Sequence, residues 1–463
     1  MLSKVTSIIG ICFLCFVWGV AAASWNVFPH QQINRVQAGI DALQKMEDST
    51  LPQHVIAVLP EAAQIDPVQS FGLPSSDELI LMTGGFFYRQ DKCPAFGCMA
   101  FVMNHDGAVL HSWEFDPSAL FTPDDFKGFT GYPDARNLNV QGVTLDQDGN
   151  LIVIFQGRNV FPYQIGIAKF SWDSKLLRIK IDNSHHWPTV GKDGRIYAPI
   201  ARIDDSQTLV AGTQEPLKCK NGAVFQDGVQ ILSPDGELLK EFWMENVVEA
   251  SDMQGLAFSV RNDCDPYHVN GIDLLNAAAV ARIPGTRVGD LLVSLRASSA
   301  LVVLDQDDGR IKHIVKGPMV AQHSPRVLPD GDFAVFDNLG GIDTEKGTRV
   351  IRVNSVTGLG QTIFPRDPAA PGGDLDSNAQ GAINFSADGS RVLVAETLGG
   401  RVFEVDTASG KTVWQYEAVS DLAPFYTMIG EKPDAPTLAR MQTQGAAFLA
   451  RADFDRLLAA HPD

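Results

Sequence analysis

Residues 289–317 read GDLLVSLRASSALVVLDQDDGRIKHIVKG, and residues 389–417 read GSRVLVAETLGGRVFEVDTASGKTVWQYE. The two stretches have the same length and the same order: short apolar run, turn, apolar run, turn, alternating run. Asp-Gly pairs punctuate the chain at Asp106-Gly107, Asp148-Gly149, Asp193-Gly194, Asp235-Gly236, Asp308-Gly309, Asp330-Gly331 and Asp388-Gly389. Such pairs supply the positive φ angles of tight hairpins. Less regular units of the same kind begin near Glu78, Asn150, Gly194 and Asp332, which makes about six. Repeated four-stranded sheets at roughly 40-residue spacing predict an all-β, six-bladed β-propeller over residues 78–418. A pair of β-sandwiches and a solenoid are the alternatives. Irregular spacing places insertions at 205–224 and 246–288, expected as loops on one face, and helical patches in 419–463 suggest a short tail packed outside.

Composition agrees with a large folded core. Of 463 residues 45% are apolar, 41 are Gly and 26 are Pro, a balance that favours many short strands joined by turns. With 37 Lys+Arg against 55 Asp+Glu the net charge is −18, which argues against nucleic acid as a partner because phosphate binding needs a basic surface.

The beginning of the chain is almost uncharged. Lys4 is the sole charged residue before Arg35, and Ile8 to Ala23 reads IIGICFLCFVWGVAAA. This pattern predicts an export signal over residues 1–29. An uncleaved anchor helix in the inner membrane is favoured over a signal peptide cut after Ala23, because the uncharged run continues to Pro29. Residues 30–77 are expected as a linker with helical spacing from Gln31 to Met46. Cys12 and Cys15 lie in the apolar segment, leaving Cys93, Cys98, Cys219 and Cys264 for an oxidising compartment. Three pairings are possible, of which Cys93 with Cys98 and Cys219 with Cys264 is one; the spacing does not suit a metal site.

Ten histidines are present, and four stand in a distinctive context. His185 and His186 (NSHHWPTV), His268 (DPYHVNGIDLL) and His323 (QHSPRVLPDG) each precede a strand after an irregular stretch, in three different units. In a propeller such positions converge on the central channel. Arg296 interrupts the apolar strand LLVSLRASSALVVLD, and a buried arginine needs an anionic partner. Neutral imidazoles beside one guanidinium suit an anionic ester such as a sulfate or phosphate.

These residues carry a resemblance to the bacterial arylsulfotransferases that use no nucleotide sulfate donor. The resemblance covers residues 78 to 416. It lies in His268, Asn270 and Asp273; Ser294 and Arg296; Gln322 and His323; Phe336, Asp337 and Asn338; and an upstream pair, His185 and His186. The chain departs from the family pattern at Trp187 and at Leu339, Gly340 and Gly341. The resemblance implies a six-bladed periplasmic propeller that transfers a sulfuryl group from an aryl sulfate to a phenol in two steps, without a cofactor. His323 would be the nucleophile, His268 and Arg296 would hold the sulfuryl oxygens, and His186, with His185 and Asn270, would complete the pocket. Phe129, Tyr132, Phe161, Tyr163 and Trp187 are candidates to grip the aryl ring. The alternative is a non-catalytic propeller that binds an anionic glycan or envelope partner through the same channel.

Overall fold

The computed structural model describes residues 2–25, 28, 54–60, 65–72, 77–85, 88–94, 96–114, 116, 120–127, 129, 138–157, 160–204, 209, 219, 224–258, 264–341, 347–428, 430 and 437–462. Strands dominate, and six of the sheets have four or five antiparallel strands. The first combines Ala446–Ala450, Glu78–Thr83, Cys98–Met103 and Val109–Glu114. The second runs from Leu138–Leu145 to Leu176–Lys180, the third from Thr189–Val190 to Leu238–Trp243 and the fourth from Val269–Leu274 to Ile311–Val315. The fifth runs from His323–Val327 to Gly360–Phe364, and the sixth from Ala382–Phe385 to Lys411–Glu417 with Val68–Ser70 added at its edge. Val55–Val58, Leu438–Met441 and Val419–Asp421 form a small seventh sheet.

The strand named first in each of the six sheets is its inner strand. Inner strands of successive sheets touch, second with third, fourth with fifth, fifth with sixth and sixth with first; the third meets the fourth through Ile196–Asp204, and the first meets the second through Glu78–Thr83. Alternating side chains decide how the sheets stack. Val293 and Leu295 face the third sheet with Val229 and Ile231, whereas Leu292 faces the fifth with Phe333 and Val335. Both faces of Leu291–Leu295 are therefore buried, and apart from Ser294 the strand is apolar on both faces rather than alternating. Cutting any of these side chains to alanine would cost about 2–5 kcal/mol. The glycines of the seven Asp-Gly turns named above have φ between +73° and +86°, the backbone those turns require; an eighth pair, Asp227-Gly228, lies within the strand Val224–Leu232.

The sequence units are displaced from the sheets by one strand. Glu78, Leu151, Ile196, Leu291, Phe333 and Arg391 each open the second strand of a sheet, and the inner strand lies upstream of it in every sheet but the first. The segment 246–288, expected as a loop insertion, holds helices Met244–Glu249 and Ala277–Arg282 and also the inner strand Val269–Leu274. Most of 205–224 lies outside the described residues, as does the helical pattern from Gln31 to Met46. The 419–463 segment carries the helices Ala423–Met428 and Arg451–Ala460, but it also contributes the inner strand of the first sheet.

At the beginning of the chain Leu2–Trp25 is helical. Among the described residues no helix is long and apolar enough to cross a membrane, so the expected inner-membrane anchor is not supported. Both disulfides take the local pairing, Cys93 with Cys98 and Cys219 with Cys264. The second fastens the loop before His268 to the third sheet, where the Phe225 backbone N–H also donates to the Cys264 carbonyl at 2.8 Å.

Candidate active site

Three imidazoles converge where the inner strands of the third, fourth and fifth sheets begin. The His186 ring centre is 5.2 Å from that of His268 and 5.8 Å from that of His323. Left-handed backbone at His186 (φ 59°), His268 (φ 51°) and Ser324 (φ 52°) turns the chain sharply at each of these entries. Non-glycine residues adopt it at a cost of about 1 kcal/mol or more, and the register of the fourth and fifth inner strands is broken just beyond, at Val269/Ile272 and His323/Arg326. Such bulges re-aim side chains. Two glycines permit the approach: a Cβ on Gly142 would lie 2.5 Å from the His186 carbonyl oxygen, and one on Gly271 would lie 2.4 Å from Pro325 Cδ.

The polar residues around these histidines act as staples between sheets. The Asn270 amide donates to the Gln322 carbonyl at 2.7 Å, and the Gln322 amide donates to Ser294 Oγ at 3.0 Å and to the carbonyls of Leu295 and Ala300. Asp273 accepts from the Val327 N–H at 2.7 Å. Asn270, expected in the substrate pocket, thus holds the residue before His323. Arg296 directly follows the strand Leu291–Leu295, and its backbone N–H donates to the His268 carbonyl at 3.1 Å. Its guanidinium charge acts on His323, His186 and Tyr163.

Each imidazole has a different partner at Nδ1, and the partner sets its state. His323 Nδ1 is 2.7 Å from Asn338 Oδ1. Asn338 spends both amide hydrogens on the carbonyls of Ser377 and Gln380, each at 2.7 Å, so its oxygen must face His323 and can only accept. The proton of His323 therefore sits on Nδ1, and Nε2 keeps its lone pair. Burial, reinforced by the Arg296 charge, pushes His323 down to about 3, so the ring is neutral. His186 Nδ1 meets His185 Nδ1 at 2.5 Å, and burial and the neighbouring imidazoles hold His186 well below the usual histidine range. His268 Nδ1 binds the Asp265 carboxylate.

His185 is buried behind His186, its Nε2 3.5 Å from Asp227 Oδ1, so His186 is the member of the pair that faces His268 and His323. The nitrogens of His186, His268 and His323 fall within 4.8 Å of one another, a spacing that would admit a metal ion. The fixed positive charge of Arg296 favours an anion there instead. A cavity of about 450 Å³ lies further along the same inner strands, lined by Trp187, Thr189, Asp273, Arg326 and Asn384, and includes none of the imidazoles.

The profile of the family described as arylsulfotransferase (ASST) matches residues 143–419, more than half of the chain. The chain belongs to the arylsulfotransferase family. All of His185, His186, His268, Arg296 and His323 fall inside the matched span. Comparison with curated proteins gave no match. Among solved structures, a protein of unknown function from Bacteroides caccae is 12% identical with a TM-score of 0.45, covering 81% of this chain and 99% of its own. A virginiamycin B lyase from Staphylococcus aureus, an inactive variant bound to quinupristin, is 13% identical with a TM-score of 0.34, covering 61% and 70%. The Myceliophteria thermophila Cps50 (Swd1) β-propeller domain is 11% identical with a TM-score of 0.39, covering 77% and 90%. These likenesses are too distant to carry an argument.

Sequence reasoning missed Asp227 and did not assign roles to Asp265 and Asn338. Asp265 stands three residues before His268, a spacing that permits the contact; Asp227, in the strand Val224–Leu232, gives no local signal. Of the aromatic candidates, Tyr163 feels the charges of Asp265, Asp227 and Arg296, and with Phe161 it packs on Phe225. Trp187 packs into the core against the inner-strand region of Gly445, and Phe129 packs on Phe126. Tyr132 lies outside the described residues.

Proposed function

We propose that this chain carries a sulfuryl group from an aryl sulfate ester to a phenol by way of a sulfohistidine at His323, on a six-bladed propeller, in an oxidising compartment such as the periplasm. The observation that carries the reading is the neutral, Asn338-anchored ring of His323 facing two further imidazoles beside Arg296. The cyclic order of contacts among the inner strands supports six blades around one axis, and the two disulfides support an oxidising compartment.

The lone pair on His323 Nε2 attacks sulfur, and Arg296 with His186 holds the sulfuryl oxygens as the aryl oxygen departs beside His268. Phe161 and Tyr163 form one wall for the aryl ring. Asn338 matters after the first step. An amide oxygen cannot take the Nδ1 proton, so the adduct remains an N-sulfo imidazolium, and the positive ring makes nitrogen a good leaving group toward the incoming phenol. A carboxylate there would stabilise the adduct and slow its discharge. Asn338→Asp is therefore expected to retain the first half-reaction while slowing the second by about 10-fold or more, seen as accumulation of sulfated protein by mass spectrometry. Equal slowing of both steps would refute this role.

The direct test uses a chromogenic aryl sulfate with and without a phenol. Phenol-dependent release, with sulfate appearing on the phenol, is the expected result. Release that needs no phenol would mean hydrolysis, and no release from any donor combined with tight glycan or sulfate binding would favour a binding protein.

A further inference from the structure

Behind the three imidazoles lies a layer of buried charge that the transfer steps above leave unused. Asp265 binds His268 Nδ1, Asp227 lies 3.5 Å from His185 Nε2, and the two carboxyl groups are within hydrogen-bonding reach of each other. Asp227 Oδ2 and Asp265 Oδ1 are nonetheless both buried with no partner if each group is ionised. Two adjacent buried carboxylates repel, and a buried oxygen without a hydrogen-bond donor is destabilising. One proton between them removes both penalties.

We propose that Asp227 holds this shared proton and donates it to Asp265, so that the pair presents a single negative charge to His268 and makes His268 the group that protonates the departing phenolate. The inference rests on the transfer reading above and deepens it, with Asp265 and Asp227 as positioning residues acting through His268. Burial, with the charge of Asp265 adding to it, pushes Asp227 well above the usual carboxylate range. Burial would raise Asp265 too, but the charge and hydrogen bond of His268, followed by the hydrogen bond with Asp227, bring it down to about 2. The other titratable groups that face the pair are His185, Tyr163 and Glu245, with the Arg296 charge acting on Tyr163. Burial lowers His185 to about 3, raises Tyr163 well above the usual phenol range and raises Glu245 to about 8, so these three are neutral at pH 7.

The three Nδ1 partners thus divide the labour among chemically identical rings. A neutral acceptor, Asn338, keeps His323 a nucleophile, and a carboxylate, Asp265, keeps His268 an acid. In the first half-reaction the His323 Nε2 lone pair forms the N–S bond, the S–O electron pair leaves on the aryl oxygen, and the Nε2 proton of the His268 imidazolium moves to that oxygen. The phenol departs neutral, and His268 is left neutral with its Nδ1–H still on Asp265. In the second half-reaction the incoming phenol returns its proton to His268 as its oxygen takes sulfur from His323.

Two experiments on the full chain test this. The first compares wild type with Asp265→Asn in single-turnover release from phenyl sulfate, whose phenol has a pKa of about 10 like tyrosine, and from 4-nitrophenyl sulfate, whose anion leaves without help. Loss of proton donation is expected to slow phenyl sulfate by about 100-fold and 4-nitrophenyl sulfate by no more than about 3-fold. The second ester doubles as the control for folding. Equal slowing of both donors would show a merely structural Asp265 and overturn the proposal, whereas a wild-type protein that transfers from neither donor would sink the underlying transfer reading. The second experiment records the infrared difference between wild type and Asp227→Asn at neutral pH. A protonated-carboxyl stretch that vanishes in the variant is expected, over the separate band that Glu245 contributes in both. Its absence from the difference spectrum would mean that no proton resides on Asp227.

Discussion

His323→Ala is expected to lower transfer from an aryl sulfate to a phenol by at least about 10³-fold in kcat, since losing a nucleophile removes the covalent path and not merely a contact. The variant should also lose the sulfated intermediate that mass spectrometry detects in wild type incubated with donor alone. The methyl group of alanine leaves Asn338 bonded to the carbonyls of Ser377 and Gln380, so the surrounding loop is expected to persist and donor binding to survive. Retention of the intermediate in this variant would place the nucleophile elsewhere. Because the folded-state pKa of His323 is depressed to about 3, the nucleophile stays neutral far below the ordinary histidine range. Its protonation cannot cause any loss of activity between pH 7 and 5.

The second large effect concerns stability in acid. His54, His185 and His323 are buried and held down to about 3, and His186 lies well below its ordinary value, in each case chiefly through burial. The unfolded chain takes up these protons near pH 6.5 and the folded chain does not. The stability these groups contribute is therefore complete above pH 6.5 and is lost progressively as pH falls toward 3. Asp227 and Glu245 oppose the trend, because their raised values keep protons on the folded chain that the unfolded chain has already shed. Four imidazoles, only partly protonated in the unfolded chain over this range, against the two carboxyls with the largest upward shifts leave a net uptake on unfolding, so stability should fall by about 2 kcal/mol between pH 6 and pH 5. Urea unfolding at pH 7, 6 and 5 measures this directly. A flat or rising curve would mean that the imidazole cluster is charged or solvated, and with it the neutral nucleophile would fail.

The legibility of the fold in sequence varied by strand. Runs such as Leu291–Leu295 and Ala300–Leu304 are buried on both faces, so apart from Ser294 they are apolar throughout and their Asp-Gly turns stand out. Several inner strands carry a weaker signal because they are short and polar. His323–Val327 reads HSPRV and Thr189–Val190 has two residues, and each contacts the neighbouring sheet's inner strand instead of a broad apolar face. Every unit was accordingly placed one strand late. The closing strand Ala446–Ala450 escaped for a different reason: it pairs with Glu78–Thr83, from the other end of the chain, and no local pattern encodes such a pairing.

By itself the sequence determined the strand-and-turn repeat, the membership of His186, His268, Arg296 and His323 in one constellation, and the family pattern they carry. Those features are written in residue type and spacing. The tertiary structure decided which of two adjacent histidines faces the others and that Asn270 and Gln322 join sheets. It also decided that Asn338 and Asp265 give identical rings opposite partners, and that Asp227 stands behind them. The physical reason is that protonation and orientation depend on what packs against a ring from other sheets. For His323 that partner is 15 residues away, and the partner's own anchors are 39 and 42 residues further on.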